Sequence, residues 1–201
     1  MNLILIRHGQ SEADVLNVLE GRADFPLTDK GILQVKHLCD WIKENERIDV
    51  IFSSTLKRAS KTAMMLSEAT STELIFKEEL MEKDNGLLAG MSRVEADEKY
   101  PIPKGGIKYY QTNAGGESRI SFRARVETFI AELINETDTE NICVVAHGGT
   151  INMILQVVLN LPIRTDIAFA CDDTSIHKVS YVERSPWIEY LNKTEHLNFI
   201  L

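Results

Sequence analysis

Arg7, His8 and Gly9 follow directly on the apolar run Leu3-Ile4-Leu5-Ile6, and Gln10, Ser11 and Glu12 come next. A neutral imidazole carries a lone pair that can attack an electrophile, and a neighbouring guanidinium disfavours its protonated form. A guanidinium also offers paired, permanently charged donors to the oxygens of an anion. The same arrangement recurs twice. Asp49-Val50-Ile51-Phe52 runs into Ser53, Ser54, Thr55, Leu56, Lys57 and Arg58, and Ile142–Ala146 runs into His147, Gly148, Gly149 and Thr150. Two arginines and two histidines thus stand just beyond three apolar runs. They could grip an anion and attack it, provided the fold brings them together.

Short continuous apolar runs are the pattern of strands buried on both faces. Each of the three is followed by, or leads to, an apolar repeat of helical spacing. Leu56, Ala59, Ala63 and Leu66 follow the second run, and Ile151, Ile154, Leu155 and Val158 follow the third. Strand-then-helix units make parallel strands whose carboxyl ends share one edge of the sheet, where open α/β sheets bind ligands. Arg7, His8, Arg58 and His147 are therefore expected at one place.

Other elements fit the same class. Thr28 reads as the N-cap of a helix with Ile32, Val35, Leu38, Cys39 and Ile42 on one face. Phe122, Val126, Phe129, Ile130 and Leu133 mark a long helix ending before Asn141, and a shorter one is expected over 93–99. The run Ile176 to Val182 reads as another strand, with the final residues covering the sheet. Pro101 to Gly116 has no clear period, and a loop of that length is usually functional. The expected fold is α/β: a three-layer α/β/α sandwich with a mostly parallel central sheet. It forms a single domain over 1–201, with a lid or specificity segment at about 84–117.

The whole-chain properties narrow the classes. A length of 201 residues suits one domain with a substantial core. A net charge of −8 argues against a nucleic-acid or anionic-membrane surface, while a few clefted arginines can still set the local field for an anionic substrate. No apolar stretch is long enough to span a bilayer, and the start lacks a basic signal region. Three widely spaced cysteines, Cys39, Cys143 and Cys171, have no metal-ligand spacing and read as reduced thiols. The expectation is a cytoplasmic protein; its oligomeric state is not written in these patterns.

Four strings in order resemble the histidine phosphatase superfamily, the group that includes cofactor-dependent phosphoglycerate mutases and many phosphatases. They are Leu5–Glu12, Ser53–Ala59, Leu80-Met81-Glu82 with Gly86 and Gly90, and Ala146–Gly149. The segment Gly21–Thr28 resembles the family's connection into its second helix. The resemblance implies a phosphoglycerate mutase-like fold and a phosphohistidine formed on His8. It implies that Arg7, Arg58 and His147 hold the phosphoryl group, with His147 also stabilising charge during transfer. Glu82 is implied as the acid that protonates the leaving oxygen and the base that then activates water. It implies no metal and no cofactor, since arginines and histidines supply the positive field. Gly148 permits close backbone approach at a helix N-terminus. Ser11, Asp14, Arg22 and His177 are further candidates for substrate contact, although Ser11 and Gln10 equally read as helix caps and His177 as a packed residue. Ser53 and Ser54 are expected to shape the turn before Arg58, Glu117 to lie at the pocket rim or start a helix, and His37 and His196 to lie on the surface.

Three departures from the mutase pattern favour hydrolysis of a small phosphorylated metabolite. Asp14 stands where the mutases usually carry asparagine, and Lys83 where they carry arginine. Arg93 and Arg119 are well separated, where the mutases have an adjacent pair. An acid at position 14 would repel phosphate unless it pairs with an arginine or is turned away. The alternatives are mutase-type phosphoryl transfer, hydrolysis of a phosphorylated protein, and a catalytically silent phosphoester-binding module. Lys104, Lys108, Tyr109 and Tyr110 in the lid do not choose among substrates.

Overall fold

The computed structural model describes residues 1–164, 166–183 and 185–198. In chain order these form β1 (Asn2–Arg7), α1 (Glu12–Leu16), α2 (Asp29–Asn45), β2 (Val50–Ser53), α3 (Lys57–Thr70), β3 (Glu73–Phe76), α4 (Arg93–Lys99), α5 (Arg119–Glu136), β4 (Asn141–Ala146), α6 (Gly148–Val158), β5 (Ile176–Val182) and β6 (Ser185–Lys193). The sheet has six strands in the order β3-β2-β4-β1-β5-β6. β3, β2, β4 and β1 are mutually parallel, β5 runs antiparallel to β1, and β6 antiparallel to β5.

Side-chain alternation explains why β1 and β4 look like unbroken apolar runs. Leu3 and Leu5, with Val144 and Ala146, pack into a core under α5 and α6. Ile4 and Ile6, with Cys143 and Val145, pack into a second core under α2 and α3. Both faces are covered, so each residue of the strand is buried whichever way it points. Burial of a Leu or Ile side chain of this kind contributes about 1.5–3 kcal/mol. Leu38, Ile42 and Leu66 from the helices on one side, and Val126, Ile130 and Ile154 on the other, are all buried.

Thr28 caps α2 by accepting the Gly31 amide at 3.0 Å, and the expected faces of α2, α3, α5 and α6 are the buried ones. Two strands had no sequence signal strong enough to be anticipated. β3 is a half-exposed edge of four residues, and β6, expected only to cover the sheet, instead extends it as the other edge. His196 corrects another expectation: it is only 5% exposed and its Nε2 lies 2.9 Å from the Thr174 hydroxyl.

Residues 84–117 leave the layered body as a 3₁₀ turn, the short helix α4 and a largely exposed stretch from 101 onward. The two ends of this excursion are joined. Glu117 donates its amide to the Asp84 carbonyl at 2.7 Å, and Leu87 to that of Ala114 at 2.9 Å. Gly86 makes this closure possible: it has φ +55°, and a Cβ there would collide with the Ala114 carbonyl. No helix among the described residues is long and apolar enough to cross a membrane.

Candidate active site

Parallel pairing sets the geometry of the site. Arg7 is opposite Ala146 and Ser53 opposite Val145, so β1, β2 and β4 end side by side. His8 donates its amide to the Ala146 carbonyl at 3.1 Å, and Ser54 to that of Val145 at 3.1 Å. These bonds extend the ladder by one residue and hold the first residues past the strands at the same height. Arg58 arrives from the first turn of α3 and His147 is the N-cap of α6. The structure thus brings Arg7, His8, Arg58 and His147 together.

His8 is fully buried, and its Nδ1 lies 2.8 Å from the Gly9 carbonyl. A carbonyl only accepts, so Nδ1 carries the hydrogen and the lone pair is on Nε2. Arg58 Nε donates toward that Nε2 at 3.2 Å. Burial, then the charges of Arg58 and Arg7, hold the imidazole well below its ordinary pKa, so it is neutral near pH 7. Arg58 is itself fully buried and satisfied by the carbonyls of Ala23 at 2.9 Å and Gly21 at 2.8 Å.

The His147 ring meets that of His8 edge-on, with centroids 5.1 Å apart. Its Nε2 is 2.8 Å from the Ser54 hydroxyl, which also accepts the Leu56 amide at 3.3 Å. The hydroxyl has a hydrogen and a second lone pair, so it meets Nε2 in either ring tautomer. Nδ1 is buried and has no hydrogen-bond partner among the described residues. Burial and the charge of Arg58 keep this imidazole neutral as well. Ser54 therefore does more than shape the turn: it orients His147.

Arg7 Nη1 donates to the Cys171 carbonyl at 2.7 Å, and Nη2 lies 3.1 Å from Asp173 and 3.5 Å from Asp14. Its Nε is buried with no hydrogen-bond partner among the described residues. Asp14 accepts the Ser11 amide at 2.7 Å and the Ser11 hydroxyl at 3.1 Å. The acid that replaces the mutase asparagine is thus occupied in closing the N-terminus of α1 and pairing with Arg7. Ser11 is correspondingly engaged in capping.

Glu82 comes from the irregular segment after a 3₁₀ turn at Glu78–Leu80. Its Oε2 accepts the Gly149 amide at 2.8 Å, while Oε1 accepts the Lys83 amide at 2.8 Å and lies 3.3 Å from the Thr150 hydroxyl. A Cβ on Gly149 would come within 2.5 Å of Oε1, so only glycine allows the carboxylate so close to the helix N-terminus. Gly148, the next position back, faces the Arg7 side chain at 4.0 Å.

Arg22 lies beside this segment, with Nε 3.3 Å from the Glu82 carbonyl and Nη2 3.8 Å from Glu117. His177 is not brought to the group. It is fully buried in β5, its Nδ1 accepts the Asn192 amide at 3.2 Å, and its Nε2 is 3.5 Å from the Ser175 hydroxyl. The strand alternation that pairs it with Leu5 directs it into the sheet, so its candidacy for substrate contact is corrected to packing.

Three further residues of the site were not among the expected site residues, although Asp173 lies in a stretch of weaker similarity to the family. Asp173 pairs with Arg7. Arg125, which reads as part of the polar face of α5, donates to the Met81 carbonyl at 3.0 Å and is 2.9 Å from Glu117. It thereby braces the segment that carries Glu82. Glu20 lies 3.4 Å from Arg58 Nε and 3.9 Å from His8 Nε2. Its position just before Gly21, inside a segment already resembling the family, was the available clue.

Comparison with known proteins agrees with this geometry. The family model of the histidine phosphatase superfamily (branch 1) matches residues 3–194. Phosphoserine phosphatase 1 of Hydrogenobacter thermophilus is 32% identical over 98% of this chain and 94% of its own length. A 2,3-bisphosphoglycerate-dependent phosphoglycerate mutase of Methylorubrum populi is 30% identical over 81% of each chain. Among solved structures, the alpha-ribazole phosphatase from Shigella flexneri superposes with a TM-score of 0.85 at 25% identity, covering 96% of this chain and 97% of that one. The buried histidine pair at the strand ends, the two arginines and the match over nearly the whole chain have one meaning: the protein belongs to the histidine phosphatase superfamily.

Proposed function

We propose that the protein hydrolyses a small phosphate ester, with His8 as the nucleophile. In the first step His8 Nε2 forms a bond to phosphorus while the ester P–O bond breaks, and Glu82 gives the departing oxygen its proton. In the second step Glu82 takes a proton from water, whose oxygen attacks phosphorus as the N–P bond breaks and inorganic phosphate leaves. Arg7, Arg58 and His147 hold the phosphoryl oxygens throughout. The observation that carries this reading is a pair of buried polar atoms without partners among the described residues, Arg7 Nε and His147 Nδ1, in the group that surrounds the His8 lone pair. Buried polar atoms left unpaired are rare, and in this reading phosphoryl oxygens give both a partner, with the His147 hydrogen on Nδ1.

Residues 84–117 serve in this reading as the lid that selects the ester. A cavity of about 580 Å³ lies between the lid and the body, lined by Lys83, Lys108, Tyr109, Arg119, Arg164 and Asp166 among others. Its positive balance favours esters whose remainder also bears negative charge, and phosphoserine heads the compounds to try because a phosphoserine phosphatase is a relative. Lys83 and the separation of Arg93 from Arg119 support hydrolysis over mutase transfer. The three free thiols suit the reducing cytoplasm.

The test is phosphate release from a panel of small esters with EDTA present, by the wild type and His8→Ala. Turnover that vanishes in the variant, together with loss of acid-labile, base-stable label on the protein, supports the reading. Turnover that persists in the variant removes His8 from the nucleophile's role. Absence of release, with interconversion of phosphoglycerates instead, replaces hydrolysis by mutase transfer.

A further inference from the structure

Glu20 stands in the phosphate site as a carboxylate. It belongs to the stretch between α1 and α2, and its side chain is 19% exposed. Its Oε2 is 3.9 Å from the nucleophilic nitrogen of His8 and 3.4 Å from Arg58 Nε, and its Oε1 takes the Ser11 hydroxyl. A phosphorus poised for attack lies about 3–3.5 Å from the nucleophile, and its oxygens surround it at similar range. Glu20 therefore occupies the shell that the phosphoryl group has to enter, and it already uses the arginine donor facing His8.

An ionised carboxylate in that position opposes a phosphate dianion by like-charge repulsion in a poorly solvated setting. A protonated one has an O–H to donate and removes the repulsion. The charged and titratable groups around it are Arg58 of α3, Arg7 and His8 at the end of β1, and Asp14 of α1. Both imidazoles at the site are held neutral, so they do not supply the proton that Glu20 would need. Burial already raises the Glu20 carboxyl from its ordinary range, against the pull of Arg58. A dianion arriving beside it acts in the same direction.

We propose that Glu20 is a further phosphate-binding residue, one that takes up a proton from solvent as the anion binds and donates it in a hydrogen bond to a phosphoryl oxygen. The proposal rests on the phosphoryl group sitting before His8. It makes anion binding strengthen on acidification, and it gives this chain an acid-favoured site.

Sulfate tests this, because it stays a dianion throughout the range in which Glu20 would titrate and does not itself gain a proton. Its competitive inhibition constant against p-nitrophenyl phosphate is measured from pH 5 to 8.5 for the wild type, Glu20→Gln and Glu20→Ala. Isothermal titration with sulfate gives the same comparison for a variant without turnover. The wild-type constant should rise with pH, by up to about tenfold per unit for one linked proton. Glu20→Gln, uncharged but still a donor, should be flat and bind sulfate at least about tenfold tighter than the wild type at pH 8. Glu20→Ala should be flat and weaker than Glu20→Gln, which a merely structural role for Glu20 would not produce. A flat wild-type profile, or an equal slope in Glu20→Gln, overturns the proposal while leaving His8 as the nucleophile. Sulfate that fails to compete at any pH overturns it together with the placement of the phosphoryl group before His8.

Discussion

The two halves of the proposed site are built by different means. The phosphoryl-gripping half, Arg7, His8, Arg58 and His147, hangs from strand ends and the first turns of helices, and His8, Arg58 and His147 are at most 1% exposed. Most of its polar atoms are paired with the body of the protein: Arg58 with the Gly21 and Ala23 carbonyls, Arg7 with that of Cys171 and with Asp173. The proton-handling half, Glu82, sits on an irregular segment at the foot of the 84–117 excursion and is held by the Gly149 amide of α6, the Lys83 amide and the Arg125 brace. A group that must meet every phosphate ester in the same geometry is carried by the core. A group that meets the variable part of the ester is carried by a segment whose shape can change without disturbing the sheet.

The comparison predicts that activity and stability are coupled in the first half and separable in the second. The largest effect is expected from Arg58→Met. It removes a phosphate grip and leaves two buried carbonyls and Glu20 without their partner, so turnover should fall by about 10³-fold and stability by roughly 2–4 kcal/mol. Steady-state rates and urea unfolding would show both. Full stability in that variant would break the claim that the grip is part of the core.

Glu82→Gln should act mainly on turnover. The amide keeps one acceptor oxygen for the Gly149 and Lys83 amides and turns its NH2 toward the other, so the unfolding free energy should fall by about 1 kcal/mol, less than in Arg58→Met. Turnover of esters with poor leaving groups should fall by about 10²–10³-fold, and that of nitrophenyl esters by much less, because only the former need a proton. Equal slowing of both classes would remove Glu82 from the acid role.

A separate effect concerns pH. His8 and His147 are held well below the ordinary pKa of 6.5, and His177 and His196 are lowered to about 4, in each case chiefly by burial. The unfolded chain therefore binds more protons than the folded one below pH 6.5, and stability is lost as the pH falls from there toward 4. Each such histidine contributes a slope of about 1.4 kcal/mol per pH unit. Glu20 and Asp173, raised by burial, act with the opposite sign and offset part of the loss at the acid end. Thermal melts from pH 7.5 to 5 should show a falling Tm. A constant Tm over that interval would mean that the imidazoles of the gripping half can reach solvent and protonate in place.

Much of this was legible without coordinates. Apolar runs ending in Arg7-His8, in Ser53-Ser54 before Arg58, and in His147-Gly148 were enough to place β1, β2 and β4 and to gather four side chains, because parallel strands share an edge. Thr28, the face of α2 and the repeat in α5 followed from capping and helical spacing. β3 and β6 were not legible: an edge strand buries one side at most and receives its stability from a neighbour across the sheet, so its own residues carry a weak pattern. His196 looked like a surface residue because nothing near it in the chain announces the Thr174 hydroxyl that it meets.

By itself, then, the sequence determined the chemistry's residue types and the layered frame, since local periodicity and residues next to one another in the chain are properties of the string. Tertiary structure alone decided the tautomer of His8, the contact of His147 with Ser54, the employment of Asp14 by Arg7, the bracing of Glu82 by Arg125, and the presence of Glu20 beside His8. Each of these depends on the distance between atoms that meet only after the sheet and helices have packed. The strength of a charge, or the side on which an imidazole keeps its proton, is set by what lies within a few ångströms of it.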